Sequence, residues 1–282
     1  MNTIQRAEKF VPVIDGIYKQ ASCTSVLDAP TQIDFKDGNT VKVMKVSTTG
    51  LGDYSRENGY KKGNAALVWE AMTLNEDRGA QLNVDRMDNE ETLGQAFGMI
   101  MNEFIRVNVA PEVDAYRFAK YAKTSGVGTK AAALSDGDSV VKALREAVSA
   151  MDDAEVSAEN RILFITPTYH GALQDLDTTK SKAVLEGFSS IIKVPQSRFF
   201  TDITLNSGDE AWGFTKGSSA KNINFMVVEK SAVVQATKMA LPKIFDPDTN
   251  QNSDSWLFQY RLYHDAFVYD NKVKGIYVHT AV

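Results

Sequence analysis

Three patterns in this 282-residue chain predict an α+β fold. Residues 40–77 form two long strand-like runs around a glycine-rich tip. Residues 88–124 carry one amphipathic helical stripe. Residues 127–240 alternate short apolar strands with helical segments, and the chain then returns to strand. The hairpin is the unusual element. At roughly 3.3 Å per residue its arms, 40–48 and 65–77, extend about 30 Å or more, close to twice the commonest strand length. A domain of this size cannot readily cover such arms. They are expected to project onto something else, most simply another copy of the chain.

In chain order, residues 1–30 read as an N-terminal arm. Pro12 can open a short helix with Ile14, Ile17, Tyr18 and Ala21 on one face. Phe10 and Val11 are apolar in a stretch with little core of its own. After the hairpin, Ala80, Leu82 and Val84 alternate with polar residues and predict a further short strand. Asp88 or Asn89 offers an N-cap, with Glu91 as its partner in a capping box. Leu93, Phe97, Ile100, Phe104 and Val107 recur at helical spacing. Pro111 is expected to interrupt this helix, which restarts through Val113, Tyr116 and Tyr121 as a bent spine.

Beyond the spine, Asp138 or Ser139 should cap a helix bearing Val141, Leu144 and Val148. Residues 161–166 (RILFIT) and 222–228 (NINFMVV) read as buried strands. Residues 167–176 read as a turn into a helix. Residues 183–191 mix helical and strand signals and do not separate them. Residues 231–239 read as helix or turn. Aromatic-rich 255–269 and alternating 273–282 then suggest a long hairpin packed on the spine.

Composition narrows the function classes. Hydrophobic residues make up 43% and charged residues 24%, ordinary values for a folded chain with a substantial core. A net charge of −5 argues against gripping nucleic acid by bulk charge. The single cysteine, Cys23, excludes an intrachain disulfide framework. No apolar run is long enough to span a membrane, and no membrane partner is expected. Residues 1–20 mix charged and apolar residues and do not read as a signal peptide.

Candidate chemistry fails on geometry. Asp246, Asp248, Asn250, Asn252 and Asp254 have the spacing of a calcium loop, but Gln251 replaces its glycine and Leu257 its bidentate glutamate. Ser125–Lys130 (SGVGTK) lacks the spacer of a phosphate loop and reads as a flexible linker. His170, His264 and His279 show no zinc-ligand spacing, and no Gly-x-Ser-x-Gly elbow accompanies the His264–Asp265 pair. No catalytic, cofactor-binding or metal site is predicted, and no cofactor. The chain reads as a protein that binds copies of itself and not as an enzyme.

Several segments, in their order, then resemble a known family. They are 50–63 (GLGDYSRENGYKKG), 84–92 (VDRMDNEET), 109–121 (VAPEVDAYRFAKY), 161–169 (RILFITPTY), 194–200 (VPQSRFF), 222–227 and 243–279. Together they are similar to the major capsid proteins of tailed bacteriophages, the fold named for Hong Kong phage ninety-seven. The resemblance covers nearly the whole chain. It implies an N-terminal arm at 1–30, an extended loop with flanking strands at 31–87, and a peripheral-domain spine helix at 88–127. An axial domain at 128–240 and peripheral return strands at 241–282 complete the implied layout.

The same resemblance implies a structural head protein of the virion, assembled in the bacterial host cytoplasm as hexamers and pentamers of itself. A separate scaffolding protein and a portal are expected as assembly partners, because the chain starts almost directly with the arm. Packaged double-stranded DNA is expected on the inner face, without sequence specificity. The expected inter-subunit contacts are Asp53, Tyr54, Arg56, Glu57, Tyr60, Lys61, Lys62 and Trp69 on the loop, with Phe10 and Val11 on the arm. Lys61 and Lys62 lie where some relatives cross-link lysine to asparagine, but solvated or salt-bridging lysines are preferred here. The rival readings are an encapsulin-like compartment shell, a phage tail or adaptor protein, and a histidine-dependent hydrolase.

Overall fold

The computed structural model describes residues 21–28, 40–57, 59–91, 95–176 and 178–282. Most of the N-terminal arm, including Phe10 and Val11, lies outside them. Strand β1 (Thr40–Thr48) pairs antiparallel with β2 (Ala65–Thr73), in register from Thr40 opposite Thr73 to Thr48 opposite Ala65. Among the hairpin residues whose burial is described, the buried ones lie at its root. Val41, Met72 and Leu74 are buried there with Ala236, against Tyr263, Phe267 and Tyr269. The second arm is shorter than expected. It ends at Thr73, and Asp77 belongs to β3 (Glu76–Asp85), which joins a different sheet.

Helices follow β3 along the chain. Helix α1 (Arg86–Glu91) starts directly off β3, and Asp85 Oδ1 accepts the Met87 amide at 2.9 Å. The cap is therefore Asp85, not Asp88 or Asn89. Helix α2 (Gln95–Phe104), a π-helical segment (Ile105–Val109) and α3 (Ala110–Lys123) form the spine. Its buried line is Met101, Ile105, Val109 and Val113, packed on Val84, Phe258, Tyr260 and Leu262. Ile100 and Val107, from the expected stripe, are exposed instead. The reason is the π segment. A four-residue step overshoots the 3.6 residues of an α-turn, and the wider π-turn absorbs that drift. Pro111 stands in the first turn of α3, and the helix continues through it to Lys123, so the proline does not interrupt the spine.

Gly126, at φ +88°, turns the chain from the spine into β4 (Gly128–Ala131), so this stretch is an ordered turn and strand and not a flexible linker. Helix α4 (Gly137–Asp153) is capped by Asp136, whose side chain accepts the Ser139 amide at 2.8 Å. Strand β5 (Arg161–Ile165), helices α5 (Pro167–Gln174) and α6 (Thr178–Leu185) and strand β6 (Ser190–Lys193) follow, so the ambiguous 183–191 stretch divides between helix and strand. A small hairpin, β7 (Ile203–Leu205) and β8 (Phe214–Lys216), leads to β9 (Ile223–Glu229). Strands β10 (Val233–Phe245), β11 (Ser255–Val268) and β12 (Ile276–Thr280) finish the chain.

Two sheets organise the body. One has the order β10-β11-β3, all antiparallel; Pro242 is tolerated because β10 is an edge strand. The other has the order β4-β12-β9-β5-β6. Its side chains alternate between two cores. Ile162, Phe164, Met226, Val228 and Val278 face the spine residues Phe118 and Tyr121. Leu163, Ile165, Phe225, Val227 and Tyr277 face α4.

This topology alters two expectations. Residues 233–240 are strand, because pairing with the aromatic-rich β11 overrides a local preference for helix or turn. The last strand, β12, does not form a hairpin with β11. It lies between β4 and β9 in the five-stranded sheet. The chain end thus returns to the lobe that residues 128–229 build.

Candidate assembly surfaces

At the tip of the hairpin, Ser55 and Gly59 exchange two backbone hydrogen bonds, Ser55 N–H to Gly59 O at 3.1 Å and Gly59 N–H to Ser55 O at 2.8 Å. Gly59 has φ +71°, a conformation that favours glycine. Lower down, a Cβ on Gly63 would meet Thr49 Oγ1 at 2.6 Å, so the two arms approach closely there. The Tyr54 and Tyr60 rings pack on each other, centroids 4.9 Å apart, yet remain 60% and 87% exposed. Asp53, Arg56, Glu57, Lys61 and Lys62 form no ion pair among the described residues.

Register sorts the arms into two faces. One carries Lys45 and Val68 and is continuous with the buried root residues Val41 and Met72; Lys45 Nζ reaches Asp270 at 3.6 Å. The other carries Val46, Leu67 and Trp69, each more than half exposed, with Trp69 at 59%. Among the described residues Trp69 therefore belongs to no core cluster. The structure brings all eight loop residues expected from the sequence to one projecting element.

The base of the arm is anchored by a buried carboxylate. Asp114, on α3, accepts the Ser22 hydroxyl at 2.7 Å, the Cys23 amide at 2.7 Å, and the Thr24 amide and hydroxyl at 3.1 and 2.6 Å. Arg198 Nη1 donates to the same carboxylate at 3.1 Å, and Arg117 Nη1 donates to Thr24 Oγ1 at 2.9 Å. Burial, followed by the Asp114 charge, pushes the Cys23 thiol up to about 11, so it stays protonated.

One further exposed aromatic escapes the sequence reading. Trp212 sits between Gly208 and Gly213, both at positive φ, and is 71% exposed. It borders a cavity of about 330 Å³ between the spine and β3/β11, lined by Leu82, Phe104, Val109 and Tyr260. Arg78 braces this edge. Its Nε donates to Glu112 at 2.7 Å and its Nη1 to the Asn206 carbonyl at 2.7 Å. A lone tryptophan in the polar run NSGDEAWG was the available signal.

The three histidines do not converge. His264 is buried edge-on to Tyr116, and burial drives its pKa down to about 3. His279 stacks on Phe225 and its Nδ1 lies 3.0 Å from Asn224 Nδ2. His170, on α5, is also held below its usual value by burial. The calcium-like stretch is a turn closed by Asp246, which accepts the Thr249 amide at 2.9 Å, while Asp248 and Asp254 lie 3.3 and 3.5 Å from Arg86. Among the described residues no cluster of three or more His, Cys, Asp or Glu could hold a metal, and no helix is long and apolar enough to cross a membrane.

Comparison with solved structures defines the class. No protein-family model matches the sequence, and no curated protein does. The structure is similar to the virus-like particle from Pyrococcus furiosus, with a TM-score of 0.63, 12% identity, and 96% of this chain and 98% of the other covered. It is similar to the capsid of the cyanophage P-SCSP1u, with a TM-score of 0.60, 15% identity, and coverage of 87% and 84%. The mature capsid of bacteriophage PhiM1 aligns with a TM-score of 0.59, 11% identity, and coverage of 89% and 84%. The chain therefore has an α+β capsid fold. That fold is the one named for Hong Kong phage ninety-seven, as the sequence resemblance implied.

Proposed function

We propose that this chain is the major head subunit of a tailed, double-stranded DNA phage, a structural protein that assembles with itself into a closed icosahedral shell. One observation carries the reading. A hairpin about 30 Å long leaves Val46, Leu67, Trp69 and Tyr60 each more than half exposed. Exposed apolar surface of that kind marks a binding site, and aromatic residues are the common anchors of interfaces. In this reading the extended loop lies across a neighbouring subunit in pentamers and hexamers, the spine and the β10-β11-β3 sheet form the peripheral domain, and the five-stranded lobe is the axial domain. Residues Phe10 and Val11 of the N-terminal arm supply further contacts. A scaffolding protein, a portal and packaged DNA are its partners, and the virion is its location.

Deleting residues 50–63 tests this. The expected product is a folded subunit that makes no closed shells by electron microscopy. Normal shells from the deletion would refute the role given to the loop. A second reading, a cellular compartment shell, is favoured by the 96% and 98% mutual coverage with the Pyrococcus particle. Native particles filled with a protein cargo and free of DNA would select it. Rings or tubes in place of shells would select a tail or adaptor role.

A further inference from the structure

On its C-terminal side the extended hairpin runs into the body through Leu74 and Asn75, between β2 and β3. Side chains of β11 hold both. Tyr263 Oη donates to the Leu74 carbonyl at 2.9 Å. The Asn75 amide donates to Asp265 Oδ2 at 3.2 Å. Asp265 is fully buried, and its other oxygen is held from the spine. Tyr116 Oη, on α3, donates to Oδ1 at 2.7 Å, and Lys120 Nζ, one helical turn on, lies 3.5 Å away. The Ala266 amide completes the set at 2.7 Å. One carboxylate thus bonds the loop root, the peripheral sheet and the spine helix together.

We infer that Asp265, with Tyr116 and Tyr263, is the clamp that sets the direction of the extended hairpin and makes it follow the spine helix. The lever is long: with an arm of about 30 Å, a swing of about 10° at the root moves the tip by about 5 Å. A shift of that size takes Tyr54, Tyr60 and the tip charges off any fixed partner. Shell curvature depends on the angle at which each subunit reaches the next, so these residues position the loop for assembly without touching the neighbour.

The assembly half of this inference rests on the proposed shell function; the coupling half does not. Tyr116→Phe deletes only the spine's hydroxyl, and Tyr263→Phe only the grip on Leu74, so both variants are expected to fold even where Asp265→Asn does not. Amide hydrogen exchange on the full-length, unassembled chain reads the coupling. The Asn75 amide is expected to exchange at least tenfold faster in Tyr116→Phe, although residue 116 does not touch it, with melting within a few degrees of the parent. An unchanged Asn75 rate in both tyrosine variants would overturn the clamp. Electron microscopy reads the consequence. If the parent forms closed shells, the variants should give a broadened range of diameters and open shells; a parental diameter distribution would overturn the positioning role. If the parent forms none, the shell reading fails and exchange alone decides the clamp.

Discussion

Strands β2 and β9 show how similar residues serve opposite ends. Both are rich in apolar residues, AALVWEAMT against INFMVVE. Every residue of β9 is buried, because its own chain lays the spine on one face and α4 on the other. In β2 only Met72, at the root, is buried. Apolar strand content alone therefore does not tell whether the chain itself covers a strand. A strand whose cover is internal contributes to folding, and one whose cover is external contributes to association.

The contrast is sharpest for large side chains. Phe164 is fully buried against Phe118, with ring centroids 5.2 Å apart. Phe164→Ala is expected to cost about 3–5 kcal/mol through lost burial and a residual cavity. Trp69→Ala should change the stability of the isolated subunit by no more than about 0.5 kcal/mol, while reducing the yield of closed shells. Urea denaturation of unassembled protein, paired with electron microscopy, separates the two. The comparison breaks if Trp69→Ala destabilises the subunit as Phe164→Ala does.

The same contrast explains what the sequence discloses. RILFIT and NINFMVV read as strands because burial on both faces produces unbroken apolar runs. The hairpin read as a projecting element because 40–48 and 65–77 are long, near in sequence and joined by glycines, although the second arm ends at Thr73. Pairing between distant segments leaves no local trace, so β12 could be seen as a strand but not placed between β4 and β9. The helical stripe misled for a different reason: its period was taken as that of an α-helix, and Ile105–Val109 are π-helical. Of the candidate site, the hairpin was legible from local pattern, while the contact role of its residues was implied by the family resemblance. The Asp265 clamp was not legible, since its tyrosine partner Tyr116 lies 149 residues away.

A buried titratable group extends the comparison to pH. His264 is neutral in the folded chain down to about pH 3, held there first by desolvation and then by the Arg117 and Arg78 charges. An unfolded histidine binds a proton below about pH 6.5. Because the folded value is depressed, its effect is absent at neutral pH and grows as pH falls towards 3. Between pH 6.5 and pH 5 the loss is about 2 kcal/mol. His264→Phe keeps an aromatic ring beside Tyr116 and removes a ring nitrogen, Nδ1, that has no hydrogen-bond partner. The variant should lose less stability than the parent over that interval in matched urea titrations. The tip carries no histidine, so deleting residues 50–63 should leave the acid sensitivity unchanged. Equal acid losses in His264→Phe and the parent would assign the sensitivity elsewhere.

The smallest effect belongs to the charges at the tip. Arg56 has no ion-pair partner among the described residues and stands beside Glu57 and Asp53 on an exposed turn. Within one subunit, Arg56→Glu should be neutral for stability. Between subunits, each exposed pair contributes only about 0–1 kcal/mol, but a shell repeats the contact once for every copy. Arg56→Glu is therefore expected to raise the protein concentration needed for assembly in low salt. The difference from the parent should shrink as ionic strength rises, because at about 0.15 M the screening length falls to about 8 Å. Light scattering against protein concentration at two salt levels measures both. A variant that assembles like the parent in low salt would remove Arg56 from the contact and leave the association to Trp69, Leu67 and the paired tyrosines.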